Sequence, residues 1–96
     1  MNIAEFQRNM KDAYLEKDAK RGVMGTYAWL VEEVGELSRA LRKGDDVALS
    51  EEFADVLAWL VSLANLCGID VEQAMTKYRD GCPRCRQVPC TCSEKP

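Results

Sequence analysis

The chain has 96 residues, 30% of them charged, and a formal net charge of −3 at pH 7. A chain of this length buries a limited core by itself, so an oligomer or a staple such as a metal ion is expected. The negative charge argues against a general nucleic-acid-binding protein, because such proteins are usually basic.

The sequence contains no apolar run approaching the roughly 20 residues that a membrane-spanning helix needs. The N-terminal segment Met1–Glu5 lacks the basic and apolar regions of a signal peptide. We therefore predict a cytoplasmic protein with no membrane partner and no nucleic-acid partner.

A first helix is predicted from Ile3 to about Asp18, because apolar residues recur there at helical spacing. Asn2 precedes this segment and is predicted to cap it. Residues 17–25 are polar and contain glycine, and we interpret them as a connection between two helices.

A second helix is predicted from a cap at Thr26 to Lys43, where Gly44 follows as a C-terminal glycine. Gly35 lies inside this helix, and an internal glycine suggests that another backbone packs closely there. Apolar residues at helical spacing predict the buried face of the helix: Tyr27, Leu30, Val31, Val34, Leu37 and Leu41.

A third helix is predicted to begin between Asp46 and Ser50 and to end at Cys67, before Gly68. It is apolar nearly all round, which is typical of a central helix or of a helix at an oligomer interface. We interpret Cys67 as a core residue. The predicted main face of the helix consists of Phe53, Val56, Leu57, Leu60, Ala64 and Cys67.

A fourth helix is predicted from a cap at Asp70 to about Arg79. Prolines and cysteines make residues 81–92 irregular, and residues 93–96 are predicted to form a frayed tail. No segment alternates as a strand would. The fold class is therefore all-α, and the predicted architecture is a compact four-helix bundle.

The composition changes after the fourth predicted helix, where four of the five cysteines lie. We predict a helical domain over residues 1–80 and a cysteine-rich tail over residues 81–96.

Two short acidic motifs lie in the second and third predicted helices, namely Glu33 with Glu36 and Glu52 with Asp55. Residues three apart share one helix face, so each pair can bind a common ligand. Isolated carboxylates are costly to bury, and Mg²⁺ prefers carboxylate ligands. Two such motifs on adjacent helices can converge on one site. The alternative is a pair of solvated helix faces, which is common for one motif and less common for two.

The segments 32–36 (EEVGE) and 52–55 (EFAD) resemble the EExxE…ExxD pattern of MazG-like nucleotide pyrophosphohydrolases, of the all-α NTP pyrophosphatase superfamily. The resemblance covers roughly residues 3–79. It implies a helical bundle that assembles as a dimer or tetramer. It also implies Mg²⁺-dependent hydrolysis of a nucleoside triphosphate to the monophosphate and pyrophosphate.

The same resemblance, taken residue by residue, implies that Glu33, Glu36, Glu52 and Asp55 are the Mg²⁺ ligands. Glu32 matches the first position of the motif, and we interpret Glu32 and Glu33 as the catalytic acids. Glu32 would then accept the proton of the attacking water.

Candidate substrate-binding residues are spread along the chain. Lys77 resembles a basic position that contacts phosphate in relatives, and Arg79 and Arg21 are further candidates. The alternative for each is an ordinary solvated cation. Trp29 and Trp59 are candidates for a base pocket, with core packing as the alternative.

Four cysteines form two pairs within eleven residues, Cys82 with Cys85 and Cys90 with Cys92. Four thiolates suit a closed tetrahedral Zn²⁺ site, whose usual role is structural. In a reducing compartment such cysteines indicate a metal before they indicate disulfides. The alternatives are an iron–sulfur cluster and reduced or redox-active thiols. The resemblance to MazG does not explain this tail.

The leading hypothesis is an Mg²⁺-dependent nucleotide pyrophosphohydrolase that forms a homo-oligomer and carries a tail stapled by Zn²⁺. The alternative is a non-catalytic zinc-knuckle interaction module on a helical bundle. The set of four acids favours the enzyme, because an adaptor would not need them.

Overall fold

The computed structural model describes residues 1–94. Its regular structure consists of three α-helices and a short 3₁₀ turn, and the described residues contain no strand. In chain order the elements are α1 (Ile3–Lys43), α2 (Asp46–Cys67), α3 (Val71–Met75) and the turn Thr76–Tyr78. The all-α prediction is confirmed. The described chain has three α-helices rather than the four of the predicted bundle.

The two predicted N-terminal helices are parts of α1, which is interrupted only at Gly22. The backbone of Gly22 has φ 85° and ψ 170°, a region that is essentially restricted to glycine. The predicted connection over residues 17–25 is therefore wrong in length. Its polar residues indicate exposure to solvent, and most of them are also good helix formers. Asp18 and Thr26 consequently lie within α1 rather than at helix ends.

We expect Gly22→Ala to lower the free energy of unfolding by about 1–3 kcal/mol, because alanine would have to hold this positive φ. A Cβ at Gly22 meets no atom within 4 Å, so the cost arises from the backbone alone. Denaturant unfolding followed by circular dichroism measures it.

Gly35→Ala is the matched control for this experiment. A Cβ at Gly35 also meets no atom within 4 Å, so the close backbone approach predicted there is absent from the described chain. Gly35 has no positive φ, and we expect the substitution to stabilise the helix by about 0.5–1 kcal/mol. Equal stability of Gly22→Ala and the wild type would contradict the assigned backbone.

The C-terminal part of α1 and α2 form an antiparallel hairpin, since only two residues connect them. Gly44 ends α1 with φ 70°, and its N–H donates to the carbonyl of Ala40. Asp45 caps α2 by accepting hydrogen bonds from the next turn, and Gly68 ends α2. The predicted ends at Lys43 and Cys67 are confirmed.

Gln7 fastens the N-terminal part of α1 to the far end of α2. Its side chain is buried and donates to Asn65 Oδ1 at 3.0 Å and to the carbonyl of Ile69 at 2.7 Å. Its Oε1 accepts from the Val71 N–H at 3.0 Å, where α3 begins. The start of α1 is itself capped by Asn2, as predicted.

Few apolar side chains are buried within the described chain. The buried aliphatic residues are Val61 and Ala40. So few are buried because α1 and the short α3 cannot surround α2. The prediction that Cys67 belongs to the core is wrong, since it is exposed. Several other residues of the predicted apolar faces are also exposed: Tyr27, Val31, Val34, Leu41, Phe53 and Leu60.

The fourth predicted helix is shorter than expected. Asp70 caps α3 through a hydrogen bond from the Gln73 N–H, as predicted. The α-helix ends at Met75, and the chain continues as the 3₁₀ turn instead of reaching Arg79 in α-helical form. The irregular tail follows this turn. Lys95 and Pro96, the end of the predicted frayed segment, lie outside the described residues.

No single helix in the described chain is long and apolar enough to cross a membrane. Within the described chain, α2 and Val71–Tyr78 would be long and apolar enough if taken together, but the chain bends by 106° between these two segments.

Candidate active site

Three carboxylates from the two helices of the hairpin come together. Glu33 on α1 and Glu52 and Asp55 on α2 each place a carboxylate oxygen within 4.8 Å of the others. We call these three residues the acidic cluster. Such convergence suits a hard divalent cation, because oxygen ligands from facing helices can enclose it.

The acidic cluster concentrates negative charge in a place where water is partly excluded. The pKa of Glu33 is raised above its ordinary value, first by burial and then by the charges of Asp55 and Glu52. Glu52 Oε2 is shielded from solvent and has no hydrogen-bond partner. A buried carboxylate oxygen without a partner is unfavourable, so the donor set fits a bound cation.

Two further acids of the predicted site lie outside the acidic cluster. Arg39 Nη1 donates to both carboxylate oxygens of Glu36, at 3.0 and 3.1 Å. Glu36 is thus paired with a cation on its own helix. Glu32 is exposed and is likewise not among the three converging carboxylates of the described chain.

A cleft of about 320 Å³ opens beside the acidic cluster. Asp55 belongs to both, so the cluster and the cleft form one continuous site. Trp59 lines the cleft and stacks on Trp29, with ring centroids 5.8 Å apart and an interplanar angle of 14°. The lining consists of Met10, Tyr14, Lys17, Asp18, Arg21, Asp55, Ala58, Trp59 and Ser62.

Arg21 organises one part of the cleft wall. Its Nη1 donates to Asp18 Oδ1 at 2.8 Å and to Thr26 Oγ1 at 3.2 Å, and its guanidinium lies 4.8 Å from the centroid of the Trp59 ring. A Cβ at Gly25 would lie 2.7 Å from Arg21 Cγ, so glycine leaves room for the arginine stem. Of the predicted basic residues, Arg21 is the one at the cleft.

Sequence reasoning missed the contribution of Tyr14, Lys17, Asp18 and Ser62 to the cleft. Asp18 is only 2% exposed, and its Oδ2 has no hydrogen-bond partner. Tyr14, Asp18 and Arg21 are spaced as one helical face, which was the available signal. That face was overlooked because a connection was predicted to begin at residue 17.

Lys77 and Arg79 are not brought to the cleft of the described chain. Lys77 lies 5.1 Å from the ring centroid of Tyr78 and lines a second cavity beside the cysteine-rich tail. Arg79 follows the 3₁₀ turn and lines neither of these two cavities.

The four predicted cysteine ligands also converge. Cys82, Cys85, Cys90 and Cys92 place their sulfurs within 4.8 Å of one another, and we call them the cysteine cluster. Hydrogen bonds from the backbone N–H groups of Thr91 and Gln87 lower the pKa of Cys85 to about 5. The side chain of Cys90 and burial raise the pKa of Cys92 to about 12.

A family model of the MazG nucleotide pyrophosphohydrolase domain matches residues 22–85, which is more than half of the chain. The chain belongs to this family. No curated protein matches it. The MazG match begins at the Gly22 interruption and contains every acid of the motif. It starts later than the resemblance over roughly residues 3–79 and ends beyond it, at Cys85 of the first cysteine pair.

Proposed function

We propose that this MazG-family chain is an Mg²⁺-dependent nucleoside triphosphate pyrophosphohydrolase that releases a nucleoside monophosphate and pyrophosphate. The observation that supports this most directly is the position of the acidic cluster at the edge of the cleft. The cluster suits the metal, and the cleft offers an aromatic ring and cations within reach of it. A nucleotide requires this combination, because it joins a flat base to a polyanion.

Glu33, Glu52 and Asp55 would hold the metal, and Glu36 would join them if its carboxylate left Arg39. When bound, Mg²⁺ supplies positive charge that offsets the charge of the phosphates. The unpartnered Glu52 oxygen and the raised pKa of Glu33 support this assignment, because both are unfavourable without a cation.

The cleft residues would position the nucleotide. Trp59 lines the cleft and stacks on Trp29, and a base could stack on its ring in place of the Arg21 guanidinium that now lies over it. Arg21 and Lys17 are the cationic side chains of the cleft and would face the phosphates or the sugar. The proposal therefore assigns substrate contact to these residues before Lys77 and Arg79, which lie elsewhere in the described chain.

Glu32 would accept the proton from the water that attacks the α-phosphorus. It lies next to Glu33 in sequence, is exposed and does not belong to the acidic cluster, so its carboxylate is available for proton transfer. Pyrophosphate is the leaving group, since attack at the α-phosphorus breaks the bond between the α- and β-phosphates.

A homo-oligomer, either a dimer or a tetramer, is part of the proposal. Large apolar side chains on α1 and α2 remain about half exposed, which is unusual for the helices that form the centre of a small domain. A second copy would cover them. The location that we propose is the cytoplasm, where the free cysteines of the chain would stay reduced.

The test is turnover of a panel of canonical and modified nucleoside triphosphates by the purified protein in the presence of Mg²⁺. We expect monophosphate and pyrophosphate as products, and no turnover in the presence of a chelator. Chromatography of the nucleotides separates this outcome from release of single phosphates. Diphosphate as the product, or no turnover of any nucleotide by the intact oligomer, would contradict the proposal.

A further inference from the structure

We propose that the cysteine cluster binds one structural Zn²⁺ ion, which holds residues 82–92 of the C-terminal tail in one folded loop. This site is separate from the acidic cluster, and the proposed pyrophosphohydrolase reaction makes no use of it. It would supply the staple that a short, irregular segment needs in order to hold one conformation.

The distances between the sulfurs carry the proposal. Cys82 Sγ lies 3.8 Å from Cys92 Sγ, and Cys85 Sγ lies 3.9 Å from Cys90 Sγ. With Zn–S bonds of about 2.3 Å, the sulfurs of a regular tetrahedron lie roughly 3.8 Å apart. These two distances match a tetrahedral cage around a single ion, and all four sulfurs lie within 4.8 Å of one another.

The same sulfur–sulfur distances argue against a disulfide and against an iron–sulfur cluster. Sulfurs joined in a disulfide lie roughly 2.05 Å apart, much closer than either pair here. In an iron–sulfur cluster the four cysteines are divided among two or four irons, so sulfurs on different irons lie farther apart than the 4.8 Å within which all four sulfurs lie here. The soft thiolate donors favour zinc over the magnesium expected at the acidic cluster.

The backbone around the cysteine cluster is arranged to support thiolates. The N–H of Thr91 donates to Cys85 Sγ at 3.4 Å, and the N–H of Cys92 donates to Cys90 Sγ at 3.3 Å. Hydrogen bonds from outside the ligand shell orient metal-bound sulfurs and stabilise their charge. All four positions of the tetrahedron are filled by protein, so the site is closed and its role is structural.

The tail lies beside the 3₁₀ turn, and the proposed ion would preserve the conformation in which the tail faces it. A cavity of about 240 Å³ lies between the two segments. Thr76 and Lys77 line it from the turn, and Cys82, Pro83 and Arg86 line it from the tail. The Arg86 N–H donates to the carbonyl of Cys82 at 2.7 Å, which closes the first loop of the tail. Loss of the ion would therefore loosen the tail and leave the hairpin of α1 and α2 in place.

Metal analysis of the full chain, purified under reducing conditions, tests the proposal. We expect about one Zn²⁺ per chain, as in other four-cysteine sites. Cys82→Ser and Cys90→Ser, one in each pair, should lose nearly all of it. Cys67→Ser is the matched control, since Cys67 is an exposed cysteine of α2 outside the cysteine cluster, and it should keep the wild-type content.

Two further measurements keep the result decisive if the variants fold poorly. Wild-type protein stripped of metal and titrated with Co²⁺ should develop thiolate charge-transfer and tetrahedral absorption bands that saturate at one equivalent. Hydrogen exchange should show faster exchange in residues 79–92 of Cys82→Ser, with α1 and α2 unchanged. Absence of the bands, iron absorption in place of zinc, or equal metal loss in Cys67→Ser would overturn the proposal. None of these readouts depends on nucleotide hydrolysis.

Discussion

Asp55→Asn is expected to lower pyrophosphohydrolase turnover by about 10²–10³-fold, the scale seen when one preorganised charge-stabilising group is removed from an active site. Asp55 is the one residue shared by the acidic cluster and the cleft. Asparagine keeps its size but removes the negative charge that would hold the cation. Steady-state turnover of the best nucleotide at saturating Mg²⁺ measures the effect.

Glu51→Gln is the control for this experiment, because Glu51 is an exposed acid of α2 that lies next to Glu52 but outside the acidic cluster. It removes the same charge from the same helix, and its turnover should stay close to that of the wild type. A similar loss in Glu51→Gln would attribute the effect to the general charge of the helix. Full activity in Asp55→Asn would exclude Asp55 as a ligand.

Asp55→Asn should lower activity, but it should not lower the stability of the metal-free protein. The pKa of Glu33 in the folded protein is raised by burial and by Asp55 and Glu52, so the folded state binds its proton more tightly than the unfolded state. The metal-free protein consequently loses stability as the pH rises through the ordinary value of 4.5 towards the raised one. At neutral pH, removing the Asp55 charge relieves part of this repulsion.

Thermal unfolding in a chelator at neutral pH should therefore show Asp55→Asn to be at least as stable as the wild type. Addition of Mg²⁺ should raise the melting temperature of the wild type and have little effect on the variant, because only the wild type binds the ion tightly. A variant that is less stable in the chelator would indicate that Asp55 has a structural role.

Arg21→Ala is expected to lower the free energy of unfolding by about 3 kcal/mol, near the lower end of the range for breaking a buried ion pair, since Arg21 itself is partly exposed. It leaves the carboxylate of Asp18, which is almost fully buried, without its cation. It also removes the guanidinium from the face of Trp59 and from Thr26. Denaturant unfolding measures the loss, and weaker nucleotide binding should accompany it.

Two comparisons identify the source of this loss. Arg39→Ala breaks an ion pair with Glu36 at the same helical spacing, but there the side chains are 57% and 39% exposed, so a change of only about 0.3–0.5 kcal/mol is expected. In the second comparison, Asp18→Ala combined with Arg21→Ala should cost less than the sum of the single changes. Strict additivity would show that the two side chains do not stabilise each other.

Several features of the fold could be predicted because they depend on residues within one helical turn. Asn2, Asp70, Gly44 and Gly68 occupy the helix ends expected of them, since caps satisfy backbone groups of the adjacent turn. The interruption near residues 17–25 was expected as well. The sequence could not show that this interruption is confined to Gly22, because polar residues that favour helices fit an exposed helix as well as a loop.

The two proposed metal sites differ in how far the sequence could define them. The cysteines of each pair are separated by one or two residues, so a short loop brings them together and the spacing alone predicts chelation. The acidic residues lie on two helices. Spacing placed Glu36 beside Glu33, but it could not show that Glu36 lies outside the converging carboxylates or that Asp18 and Arg21 line one cleft with Trp59 of α2.

The sequence by itself determined the helical class, the positions of the main caps, the family and the residue types of both proposed metal sites. These properties follow from periodicity, local hydrogen bonding and motif spacing, which are short-range. Only the tertiary structure decided which carboxylates converge, that Trp29 and Trp59 stack, and that Arg21 and Asp55 line the same cleft. Such contacts depend on how α1 turns at Gly22 and packs on α2, and the packing of side chains from distant segments is not encoded in the pattern of either helix alone.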